Sequence, residues 1–130
     1  MFELENQQVF FEPTIGEVTG ESYDGTFEVR RVLTPAQKSM ADFERRAFLG
    51  NPASNEDIDA EVAELAFAIG QLKVRVVKGP KWFQESNGLK NFLDQNVLVA
   101  LTKEILEVEF KFKKELKEKA QKAKEALTQK

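Results

Sequence analysis

This chain of 130 residues contains no cysteine and no histidine. Without cysteine there is neither a disulfide nor a thiolate metal site, a composition that suits a reducing compartment. Without histidine the commonest general base, metal ligand and pH switch are all missing. A hydrolase triad would have to run on lysine or a carboxylate, and no motif sets either beside a serine. The seven glycines are scattered. None falls in the G-x-x-x-x-G-K-S/T or G-x-G-x-x-G spacing that cradles phosphates. Apolar runs stay far below the roughly 20 residues needed to cross a bilayer. Met1-Phe2-Glu3-Leu4-Glu5 carries no basic segment, so neither a signal peptide nor a transmembrane helix is expected.

Carboxylates do cluster at Glu56, Asp57, Asp59 and Glu61. The cluster lacks the alternating ligand loop with a central glycine that calcium prefers. It reads instead as negative charge placed at the positive end of a helix dipole. The expectation is a non-enzymatic protein with no catalytic, cofactor-binding or metal site.

What the chain has in excess is phenylalanine: eleven, against one tyrosine and one tryptophan. Phenylalanine has no polar tip, so each ring needs a core or a partner. Charge is unevenly spread. Residues 111–130 hold eight lysines and three glutamates, a net +5; the overall charge of −3 therefore leaves −8 on the remaining 110 residues. An acidic body with a basic tail suggests charge-guided contact between copies or with another partner, and a homo-oligomer is expected.

Periodicity orders the chain. Residues 1–13 lack a pattern and read as a loose N-terminal arm. Asp24-Gly25 suits a tight turn, and Phe27 and Val29 alternate with Glu28 and Arg30, the period of a half-buried strand. A β-hairpin is predicted over residues 14–33. Thr34-Pro35 starts a helix that presents Met40, Phe43 and Ala47 on one apolar face and stops at Gly50-Asn51-Pro52. Ser54 or Asn55 caps a second helix with a seam at Ile58, Val62, Leu65, Ile69, Leu72 and Val76. The β-branched residues Val74, Val76 and Val77 leave a strand as the lesser alternative at its end. After an aromatic loop at 81–88, a third helix begins between Leu89 and Asp94. It runs without Gly or Pro to the end, on a stripe from Val97 to Leu127. The predicted class is α+β, mostly helical: an N-terminal β-hairpin packed on three α-helices, the last long and projecting. The domains are an arm (1–13), a globular hairpin plus helical domain (14–112) and a lysine-rich helical extension (113–130).

Five aromatics are candidate partner-binding residues: Phe67, Trp82, Phe83, Phe110 and Phe112. Trp82-Phe83 reads either as a plug at the helix junction or as an interface centre. Phe110 and Phe112 are two residues apart and point to different sides of a regular helix, so one of them is expected to face another chain or a bound segment. The lysine-rich end has interleaved glutamates and no ring beyond Phe112, which argues against nucleic acid. A solvated face and a protein partner both remain open for it.

The order of residues resembles the tail assembly chaperones of long-tailed bacteriophages. The resemblance rests on Phe27-Glu28-Val29-Arg30, Leu33-Thr34-Pro35, Asp42 with Arg45-Arg46-Ala47-Phe48-Leu49-Gly50, the stretch Ala66 to Lys78, Pro80, Trp82-Phe83 and Leu93-Asp94-Gln95-Asn96-Val97-Leu98, and covers roughly residues 24–115. It implies a small, self-associating helical protein of the host cytoplasm that binds the tape measure protein, keeps it in solution and recruits tail tube protein. A structural virion component of the tail or neck is the alternative.

Overall fold

The structure is a computed structural model and describes residues 5–50, 58–86 and 89–128. The elements run β1 (Asn6–Ile15), β2 (Ser22–Arg30), α1 (Pro35–Leu49), α2 (Ala60–Arg75), β3 (Val76–Lys78), α3 (Lys81–Gln84) and α4 (Gln95–Thr128). The fold is α+β and mostly helical, with the hairpin first and a long helix last. None of its helices is long and apolar enough to cross a membrane among the described residues.

The hairpin differs from expectation in place. Residues 6–13 are not a loose arm but most of β1, and Asp24-Gly25 lies inside β2 rather than at the turn. The strands pair with Val9 opposite Phe27 and Phe11 opposite Gly25, and a bulge between Phe11 and Thr14 shifts the register. Gly25 has φ +141°, and an added Cβ would lie 2.9 Å from Pro80. Its glycine therefore serves the close packing of Pro80 against the sheet, not a two-residue turn. The true connection is Gly16–Glu21, closed by Gly16 N–H donating to the Glu21 carbonyl at 2.8 Å.

That loop is held from across the molecule by Asp94, which is fully buried. Asp94 Oδ1 accepts from the Val18 amide at 2.8 Å and the Thr19 amide at 3.0 Å. Its Oδ2 accepts from the Thr19 hydroxyl at 2.6 Å and the Tyr23 hydroxyl at 2.8 Å. Asn96 adds a reciprocal pair with the Glu17 amide and the Ile15 carbonyl. Burial alone would raise the Asp94 pKa, but the hydrogen bonds from Thr19, Tyr23 and Val18 outweigh it and hold the value at about 2. For Tyr23 the hydrogen bond with Thr19 acts downward, yet burial and the Asp94 charge together raise its pKa. Gly16 is required by the same contact: a Cβ there would sit 2.2 Å from Asp94 Cγ.

The end of α2 takes the lesser alternative. The helix stops at Arg75, and Val76–Lys78 pairs with β2 as a third strand, giving the sheet order β1-β2-β3. The start of α2 is capped by Asp59, whose carboxylate accepts from the Glu61 amide at 2.8 Å. Ser54, Asn55, Glu56 and Asp57 lie outside the described residues. The stretch at 81–88, expected as a loop, contains the one-turn helix α3.

The core joins three layers. Phe11, Phe27 and Val29 of the sheet meet Leu65, Ile69 and Leu72 of α2 and Val97, Leu98, Leu101, Ile105 and Val108 of α4. The 34 residues of α4 span about 51 Å at ~1.5 Å per residue. Its buried positions end at Val108, Phe112 and Leu116 are half-buried, and every other described residue from Lys113 to Thr128 is exposed. The helix is long and projects, as expected.

Candidate protein-docking surfaces

Helix α1 is built to be stable on its own terms. The Thr34 hydroxyl accepts from the Gln37 amide, and the Gln37 side chain accepts from the Thr34 amide, a reciprocal capping box. Pro35 occupies the first turn, and Gly50 closes the helix with φ +73°. Asp42 pairs with Arg45 and Arg46, each at 3.0 Å.

The seating of α1 on α2 turns on a small-residue contact. Ala41 is the buried residue of α1. It lies against Gly70, where an added Cβ would come within 2.4 Å of the Ala41 carbonyl oxygen. So close an approach admits only small residues at the contact. Glu44 and Lys73 then pair at 3.0 Å beside it. Met40, Phe43 and Ala47 share one face, as their spacing predicts, and that face points to solvent. Met40 is 58% and Phe43 63% exposed. With Ala36, also exposed, they form a stripe at steps of 4, 3 and 4, the spacing of one helix face.

The five candidate aromatics separate into two groups. Trp82 and Phe83 are half-buried parts of an aromatic cluster. Trp82 packs edge-on against Tyr23 with ring centres 5.0 Å apart, and Phe83 meets Phe27 at 5.3 Å. The Trp82 indole N–H donates to the Asp24 carbonyl at 2.7 Å. They seal the sheet to the α3–α4 connection. Phe112 is half-buried beneath the Arg31 guanidinium, whose carbon lies 5.0 Å from the ring centre. Phe110 lies on another side of α4 and is 65% exposed, and Phe67 on α2 is 43% exposed. Phe10, on the sheet face away from the core, is also exposed.

Two clefts flank α4. The larger, about 650 Å³, runs between β1 and the middle of α4 and includes Val9, Arg31, Val108 and Phe112. Its charged lining is mixed: Arg31, Lys103 and Lys111 against Glu104, Glu107 and Glu115. The second, about 440 Å³, lies between the hairpin loop and the starts of α2 and α4, and is lined by Glu17, Glu61, Glu64 and Lys103 over Leu65, Val99 and Ala100. Sequence reasoning missed the roles of Asp94 and Asn96, which position this loop. The signal was weak: an Asp before a helix reads as its own cap, and nothing local ties it to Thr19.

No protein family, no curated protein and no solved structure matches this chain.

Proposed function

We propose that this protein is a non-enzymatic assembly chaperone that holds an apolar helical polypeptide during construction of a phage tail. Its client is the tape measure protein, its second partner is tail tube protein, and its place of action is the host cytoplasm. The observation that carries the reading is the outward apolar face of α1. A helix whose Met40 and Phe43 point to water, while Ala41 faces the body, is arranged to meet another chain in the helix-in-groove manner. Methionine adapts to varied partners, and phenylalanine supplies area without a polar demand. Exposed Phe10, Phe67 and Phe110 add apolar surface that the core does not use. The resemblance across residues 24–115 supports the same reading.

Co-expression with the tape measure protein tests it. The wild-type chain should co-purify with the client and keep it in solution. Met40→Gln with Phe43→Ser should lose the client while remaining folded, and deletion of the gene should reduce tail yield. Failure of the wild-type chain to form a complex would end the proposal.

The projecting half of α4 favours a second reading, a structural component of the tail or neck, since an exposed helix offers a long attachment. Mass spectrometry of purified virions separates the two: many copies per particle support the structural role, and absence supports the chaperone.

A further inference from the structure

The free end of α4 carries a face that the body does not cover. Leu116, Ala120, Ala123 and Leu127 recur at steps of 4, 3 and 4, and the last three are exposed. At 100° per residue, Lys113, Lys117 and Lys124 flank one side of this seam and Lys119 the other. Glu118 and Glu125 fall on the opposite side of the helix. Two such helices cannot pair well with each other. The charged groups that would meet across a coiled coil are lysine against lysine, which is repulsive. The seam calls for an apolar floor with acidic walls. A helical segment of this length also gains most of its stability from packing rather than from propensity.

The 440 Å³ cleft has that character, with Glu17, Glu61 and Glu64 beside Leu65, Val99 and Ala100. The larger cleft does not, because its cations and anions balance. The helix cannot reach the acidic cleft of its own chain. Lys103, at the cleft, and Leu116 lie on the same unbroken helix, about 20 Å apart at ~1.5 Å per residue.

We infer that the lysine-flanked end of α4 docks in the Glu17/Glu61/Glu64 cleft of a second copy of this chain. The two surfaces are different, so the contact is head-to-tail and builds closed rings or open chains rather than a symmetric dimer. Opposite charges across it make assembly sensitive to salt. The inference rests on the helix end and the cleft, and not on client binding.

Light scattering with charge reversal tests it. The wild-type chain should exceed its monomer mass of 14.8 kDa at low salt and fall towards it in about 1 M NaCl, where screening reaches ~3 Å. Glu61→Lys with Glu64→Lys should give a monomer, and so should Lys117→Glu with Lys124→Glu. All four positions are exposed, so circular dichroism should report unchanged folds. Mixing the two variants should restore assembly, because each supplies the charge that the other now lacks. A wild-type monomer at every concentration, a cleft variant that assembles like wild type, or a mixture that stays monomeric would each overturn the inference.

Discussion

The Asp94 carboxylate and the Thr19 hydroxyl, 75 positions apart in the chain, meet at 2.6 Å. Through this bond and its neighbours, one side chain at the start of α4 closes the β1–β2 connection. It supplies the partner of the Val18 and Thr19 amides. The ionised form is the one bound, so the pH dependence has a definite sign. With its pKa lowered from 3.8 to about 2, Asp94 contributes stability that is present above the ordinary value and lost as pH falls through the lowered one. Asp94→Asn should reduce the melting temperature at neutral pH by about 4 °C or more. The gap to wild type should close as pH drops from about 4 to about 2. A gap that stays constant over this window would show that the charge is not what holds the loop.

The contact between Gly70 and Ala41 gives a second prediction. An added methyl at Gly70 meets the Ala41 carbonyl oxygen at 2.4 Å, backbone that cannot swing aside. Intrinsic helix propensity favours alanine over glycine by about 1 kcal/mol. Gly70→Ala should nevertheless destabilise, by roughly 1–3 kcal/mol from overpacking. Urea unfolding reads this as a lower midpoint at unchanged slope. A stabilised variant would place α1 elsewhere.

These two contacts also explain what the sequence could and could not disclose. The cap of α1 lies within one turn, in Thr34, Pro35 and Gln37, and the stripe of α4 repeats over many turns, so both were readable from local pattern. The hairpin turn was misplaced because Asp24-Gly25 is a strong local signal, while the real loop depends on Asp94 and Asn96 far along the chain. Spacing puts Met40, Phe43 and Ala47 on one face of α1 but does not say which way that face points. Here the closeness permitted by Gly70 excludes Met40 and Phe43 from the helix contact. Spacing shows that Phe110 and Phe112 point apart, but not that Phe112 is the one lying under a distant residue, Arg31.

Phenylalanines of one chain should behave oppositely. Phe27 is fully buried among Phe11, Trp82 and Phe83, and Phe110 is mostly in water. Phe27→Ala should cost about 3–5 kcal/mol through lost burial and a cavity. Phe110→Ala should stay within about 0.5 kcal/mol. Denaturant melts of the two variants check this. A large loss from Phe110→Ala would mean that the ring is not free in solution.

Arg75 and Glu109 join α2 to α4 beneath the surface. Arg75 Nη2 lies 3.3 Å from Glu109 Oε2, and Arg75 Nε donates to Gln71 Oε1 at 2.6 Å. Arg75 Nη1 and Glu109 Oε1 are buried with no hydrogen-bond partner among the described residues. The pair is thus incompletely satisfied, and desolvation of both charges offsets much of their attraction. Removing one partner leaves a buried charge alone, so Glu109→Leu should cost about 3–5 kcal/mol. Adding Arg75→Met removes that charge and supplies an unbranched apolar chain of similar reach. The double variant should recover most of the loss. Additivity of the two single changes in a double-mutant cycle would show that the residues do not interact. A coupling of several kcal/mol with a double variant near wild type would show that the bridge aligns α2 with α4 more than it stabilises them.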